Sequence, residues 1–182
     1  MNLHIKLDST HPSYQWLEQQ ANKIGAKGHY GTHIDCYTKT PLKETYNLPA
    51  VIVNCTKSML SIEEANQLPS LKNRALVLYT GNLFLNDYGS KAYFNETDTS
   101  ITKEVLAIIL TKEPSFILID SYGIGNHGED HINLDKQCEK ADCFVIENIC
   151  IAPSQLNKIK NLHISFNLDY PSTGKPCEVT FD

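Results

Sequence analysis

The chain has 182 residues, of which 41% are apolar and 20% charged, with a formal net charge of -5 and a pI near 5.8. This length fits one domain with a core of its own, and the ordinary composition excludes a disordered chain. The negative balance excludes nucleic acid or an anionic membrane as the main partner, since both require a positive face.

The start, Met1-Asn-Leu-His-Ile-Lys-Leu-Asp8, has no long apolar region, so a secretory signal is not expected. No run approaches the ~18 apolar residues of a membrane span. Six cysteines, at 36, 55, 138, 143, 150 and 177, form no CxxC pair. With no export signal they are expected to stay reduced, which makes the cytoplasm the expected compartment.

In chain order, Ala50–Asn54 is a short β-branched run and the first expected strand. Ser61-Ile-Glu-Glu64 is a capping box that opens a helix to about Leu68, before Pro69. Ala75–Tyr79 is the next strand. A helix from near Ser100 carries Val105, Leu106, Ile109 and Leu110 on one face and stops before Pro114. Phe116–Asp120 and Cys143–Glu147 are further strands, with a helix between them over Ile132–Ala141. A short helix follows Pro153. Leu162–Leu168 alternates as a strand with one wet face, and Glu178–Phe181 closes the chain as another. The mixture predicts one α/β or mixed α+β domain over residues 1–182. Asn54, Asp120 and Glu147 end buried strands, where such folds place functional side chains.

The densest chemistry lies in His29-Tyr-Gly-Thr-His33-Ile-Asp35. Two imidazoles and a carboxylate suit a divalent ion that activates water, such as Zn, Mn or Fe(II). In a plain strand His29 and His33 would stand roughly 13 Å apart at about 3.3 Å per residue, too far to share an ion. Sharing therefore requires either a bend, for which Gly31 is free to take unusual φ, or a helix in which the two histidines converge. His33 and Asp35 share one face of an extended segment.

A second cluster reads His127-Gly-Glu-Asp-His131-Ile-Asn-Leu-Asp135, with side chains recurring every four residues, as on one helix face. Glu147 follows at the end of an apolar strand. A buried carboxylate there needs a partner, which a metal or a histidine would supply.

Gly28-His29-Tyr-Gly-Thr-His33-Ile-Asp35 resembles the HxGTHxDxPxH signature of the cyclase family of metal-dependent hydrolases, which includes bacterial kynurenine formamidase and isatin hydrolase. Leu7–Pro12, Leu78-Tyr-Thr-Gly81, Ile117–Ser121 and Ile146-Glu-Asn-Ile149 resemble the family's other segments, in order. The resemblance implies a swivelling β/β/α domain in a homo-oligomer such as a dimer or tetramer. It implies a divalent metal, Zn or Mn, on His29, His33 and Asp35, and hydrolysis of an amide bond in a small formamide or cyclic amide substrate. Tyr37 and Lys39 stand where the signature has Pro and His, and Asp135 where the family has a later histidine. In the relatives those two histidines help to bind a second metal or to move protons. The expected division of labour gives His131 the proton from metal-bound water, with Asp135 and Glu147 as orienters or further ligands. Lys39 is assigned the oxyanion or a substrate carboxylate. Tyr37 and Trp16 are assigned an apolar wall. The two missing histidines also admit a different reading, a chain that binds metal or ligand without turnover.

Overall fold

The computed structural model describes all of the chain except residues 6, 8, 12–13 and 25–26 and the side chain of residue 24. Two positions of the Leu7–Pro12 segment, 8 and 12, therefore lie outside the described residues. Seven strands close into a barrel: β1 His33–Asp35, β2 Thr45–Asn54, β3 Ala75–Tyr79, β4 Phe116–Ile119, β5 Phe144–Glu147, β6 Asn161–Phe166 and β7 Gly174–Phe181. Their order around it is β1-β5-β4-β3-β2-β6-β7. β2 to β5 run parallel, and β1, β6 and β7 complete the closure through antiparallel pairs. β2 serves both halves. Thr45–Pro49 pairs with β6, and Ala50–Asn54 pairs with β3.

Two hydrophobic cores follow from the two-residue period of the strands. Ala75, Val77, Phe116, Leu118, Phe144 and Ile146 point into the barrel, where they meet Ile164, Val179 and Phe181. Leu76, Leu78, Ile117, Ile119 and Val145 point outward, under helices α2 Ile62–Gln67, α5 Lys103–Thr111 and α6 Glu129–Lys140. β3, β4 and β5 are covered on both faces, so they read as continuous apolar runs.

The local signals place most elements. Ser61 caps α2 through a reciprocal capping box with Glu64. α5 starts three residues later than expected, at Lys103, because Thr102 is its cap. α6 starts earlier than expected, at Glu129, and ends where Asp142 turns left-handed at φ 57. There the amides of Asp142 and Cys143 bond Glu139 and Cys138 carbonyls at 3.1 and 3.0 Å, a Schellman close. Three helices were not expected: α1 Tyr14–Ile24, α3 Asn82–Leu85 and α4 Lys91–Asn95. α3 is a single turn with no readable stripe, whereas α1 sets Tyr14, Leu17, Ala21 and Ile24 at helical spacing in the sequence, a signal that was present and was missed. A 3-10 helix covers Pro153–Lys158. All six cysteines are free thiols. No helix of the described residues is long and apolar enough to cross a membrane.

Candidate metal centre

Gly31 adopts φ +67 and turns the chain between His29 and His33. The local alternatives are thereby resolved: the segment is a bend that runs into β1, not a helix. On β1, His33 stands directly opposite Glu147 of β5 in the antiparallel register. α6 packs against β5 and brings His131 and Asp135, one turn apart, to the same place. The ligand atoms of His29, His33 and Asp35 all lie within 4.8 Å of one another, as do those of Asp35, His131, Asp135 and Glu147. Asp35 belongs to both groups.

The hydrogen bonds decide which nitrogens are available. His33 Nδ1 lies 2.9 Å from the Gly31 carbonyl, which only accepts, so Nδ1 carries the proton. The Nε2 lone pair then faces Asp35 Oδ1 at 3.6 Å and Glu147 Oε2 at 3.4 Å. His29 places Nε2 2.9 Å from the Thr173 hydroxyl and Nδ1 2.9 Å from Asp35 Oδ1. His131 Nε2 stands 3.1 Å from Asp135 Oδ2, 3.3 Å from Glu147 Oε1 and 3.5 Å from Asp35 Oδ2.

Burial pulls His33 down to about 4 against the opposing charge of Asp35, so it is neutral, the form that ligates. His131 is shifted the other way. Burial lowers it, but the carboxylates of Asp35 and Asp135 outweigh that and raise it. Burial pushes Asp135 well up, opposed by His131 and reinforced by Asp35 and Glu147. Glu147 is raised by burial and then by Asp35. Burial would raise Asp35 too, but the imidazoles of His131 and His29 hold it well below the usual carboxylate range.

These residues fit a divalent cation. Both oxygens of Asp35, both of Asp135, Glu147 Oε1 and His131 Nδ1 are buried without an aligned hydrogen bond. Buried polar atoms left unpaired are costly. Imidazole lone pairs and carboxylate oxygens that converge on one point repel unless a cation lies among them.

The Cyclase family model matches residues 1–126, more than half of the chain. This chain belongs to the cyclase family. The cyclase match spans His29, His33 and Asp35 and ends before His131, Asp135 and Glu147. No curated protein sequence matches the chain. Solved structures superpose on between 84% and 100% of it. A potential metal-dependent hydrolase with cyclase activity gives a TM-score of 0.65 at 16% identity, covering 98% of this chain and 94% of that one. Isatin hydrolase A from Labrenzia aggregata, bound to benzyl benzoate, gives 0.65 at 12% identity, covering 100% and 93%. An isatin hydrolase bound to the product analogue thioisatinate gives 0.62 at 15%, covering 85% and 73%. At these identities the likeness is one of fold.

In this cyclase-family chain a cleft of about 470 Å³ opens onto the cluster, with His29, His33, His131 and Glu147 at its base. Tyr37, Tyr88, Tyr93, Phe94 and Tyr122 form its aromatic walls, and His127 stacks on Tyr122 with ring centroids 4.3 Å apart. A second cavity of about 440 Å³, between the N-terminal segment and the β6–β7 edge, holds none of the clustered ligands. Of the residues singled out in the sequence, His29, His33, Asp35, His131, Asp135 and Glu147 come together and Tyr37 lines the cleft. Lys39 does not join them, because its Nζ is ion-paired with Asp142. Trp16 is half exposed and absent from the lining, which takes its neighbour Leu17 instead.

Sequence reasoning missed four residues that shape the site. Thr173 holds His29. Asn148, left-handed at φ 59, donates to the Gly31 carbonyl at 3.0 Å and so backs the bend. A Cβ at Gly123 would stand 2.4 Å from the His131 ring and 2.7 Å from Glu147 Oε1, so only glycine lets its loop lie over them. Glu139 extends the four-residue series of His127, His131 and Asp135 by one step, a signal that was present in the sequence.

Proposed function

We propose that this chain is a metal-dependent hydrolase that cleaves the amide bond of a small formamide or cyclic amide. The observation that carries the reading is the buried set of carboxylate oxygens without an aligned hydrogen bond, beside the neutral His33 imidazole and next to an aromatic cleft. His29, His33 and Asp35 would hold the metal, Zn or Mn, with Glu147 and Asp135 as further ligands or orienters. A divalent metal held there supplies Lewis acidity and lowers the pKa of a bound water toward ~7.

The chain's own groups have distinct tasks in this reading. Asp35 keeps its charge, and Thr173 and the Gly31 carbonyl fix the ring orientations of His29 and His33. His131 is the proton acceptor, since its Nε2 faces the cluster and the carboxylates around it favour its protonated form. Tyr37, Tyr88, Tyr93, Phe94 and Tyr122 exclude water and offer flat faces to a ring-bearing amide. Lys39 is given no part in this reading, since its Nζ pairs with Asp142 and the residue does not line the cleft. The same reading takes residues 1–126, the family match, together with 127–182 as one functional domain, because the site needs ligands from both. It also takes the protein as a cytoplasmic homo-oligomer acting on a small molecule.

The test is metal content together with turnover of N-formylkynurenine and isatin. Protein purified without chelator should carry a divalent ion and hydrolyse an amide of this class. Absence of any bound divalent ion would overturn the reading. Asp135, in place of a family histidine, favours one rival, a chain that binds without turnover. His33→Ala separates the two, abolishing turnover in an enzyme and changing only affinity in a binder.

A further inference from the structure

Glu139 lies on α6, eight residues after His131 and four after Asp135, and its side chain is buried at 1% exposure. Its carboxylate does not face the metal cluster. Instead it accepts from four donors of one turn: the amides of Tyr37, Thr38 and Lys39 and the Thr38 hydroxyl, with the Thr38 amide at 2.8 Å and the Lys39 amide at 3.2 Å. That turn begins two residues after Asp35, the carboxylate common to both ligand groups.

Two lines of contact lead from this carboxylate to the cluster. The first runs along the helix. Residues four apart share a face, and four residues advance about 6 Å at 1.5 Å each. The face that lays His131 and Asp135 against Asp35 therefore lays Glu139 on the backbone that follows Asp35. Helix and strand are pinned at one point, and α6 cannot rotate or slide relative to β1 without breaking the clamp. The second runs through Tyr37. Its amide is one of the clamped donors, and its ring stacks on His29 with centroids 6.0 Å apart and 28° between planes. On the other side, Lys136 of α6 lies 5.8 Å from the Tyr37 ring centroid.

We propose that Glu139 is a positioning residue for the metal centre: its carboxylate clamps the Tyr37–Lys39 turn and so holds Asp35 and His29 on one side, and His131 and Asp135 on the other, in ligating register. The inference rests on the metal-binding reading above. Glutamine is the discriminating replacement, because it keeps the shape but turns an NH2 group toward amides that need an acceptor.

The experiment is a cobalt(II) titration of full-length, metal-stripped protein, followed by visible absorption, with thermal melts of each variant. Wild type should bind cobalt with a defined ligand-field spectrum. Glu139→Gln should bind about tenfold more weakly, the lower end of what outer-shell partners of metal ligands contribute, and with altered bands. Leu71→Ala truncates a fully buried leucine just before β3, remote from the cluster, and should lower the melting temperature with the cobalt spectrum unchanged. Thr38→Val removes one clamped donor and should weaken cobalt binding by a smaller factor, which keeps the test open if Glu139→Gln does not fold. Wild-type affinity and bands in Glu139→Gln, or in Thr38→Val should the former not fold, would reduce Glu139 to a structural staple and overturn the proposal alone. Failure of wild type to bind cobalt would overturn the metal reading and this inference with it.

Discussion

Glu147→Gln should stabilise the metal-free protein and lose part of that advantage when metal is present. Glu147 is 4% exposed, its Oε1 has no aligned donor, and it shares its space with Asp35 and Asp135. In metal-free protein this crowds Glu147 against Asp35 and Asp135 in a poorly solvated site, and burial and the Asp35 charge raise it above the usual carboxylate range. Replacing it relieves about 1–3 kcal/mol, the usual cost of a buried unsatisfied polar group and a low figure for a charged one. For a chain of this size roughly 2–4 °C accompanies each kcal/mol, so the metal-free variant should melt about 2–12 °C above metal-free wild type. Metal narrows this gap. A ligand at 100 times its Kd stabilises by about 2.7 kcal/mol, and a variant short of one carboxylate ligand gains less of this at the same concentration. The assay is paired melts in EDTA and in excess Zn or Mn at one fixed pH near 8. A metal-free variant less stable than metal-free wild type would show that protein donors already satisfy Glu147. The argument from orphaned oxygens to a cation would then fail.

Three further perturbations test other parts of the site. Gly123→Ala puts a Cβ into the His131 ring at a φ of +128, and should cost at least about 2 kcal/mol and erase the metal-induced melting shift; an unchanged metal titration would contradict the placement of its loop. His33→Ala should lower the metal content of purified protein and abolish hydrolysis of N-formylkynurenine or isatin, and full turnover in the variant would remove His33 from the mechanism. Asp120 is raised by burial, against the amides of Thr80 and Gly81 and the Thr80 hydroxyl that bond it. A raised carboxylate makes the folded state the better proton binder, so its stabilisation is present at low pH and lost as pH rises through the folded value. The stability gap between wild type and Asp120→Asn, read by urea unfolding across pH, should therefore widen on acidification from neutrality, and a constant or narrowing gap would refute the shift.

What could be read from the sequence, and what could not, follows the distance along the chain over which each feature is built. β3, β4 and β5 were legible because both of their faces are buried, which leaves uninterrupted apolar runs. The grouping of His29, His33 and Asp35 was legible because these side chains and the glycine that bends them together lie in one short segment. α3 and α4 were not, since such short helices take their stability from packing that no local pattern announces, while α1 had its signal in the spacing of Tyr14, Leu17, Ala21 and Ile24. Lys39 was given a role from its place in the motif, but the turn at Asp142 brings it a partner that only the folded chain reveals.

The second ligand group marks the boundary between the two cases. His131, Asp135 and Glu147 each stood out as a side chain, but their union with Asp35 depends on two long-range facts, the β1–β5 register and the docking of α6. Glu139 lies beyond that boundary. Its acceptor oxygens are used by backbone amides, which every residue type carries alike, so nothing about Tyr37, Thr38 or Lys39 named it in advance. The motif specifies the local half of the centre, and the rest depends on a helix face whose last acidic residue binds no metal ligand directly. Substitutions at residue 139 should therefore register in metal affinity before they register in secondary structure.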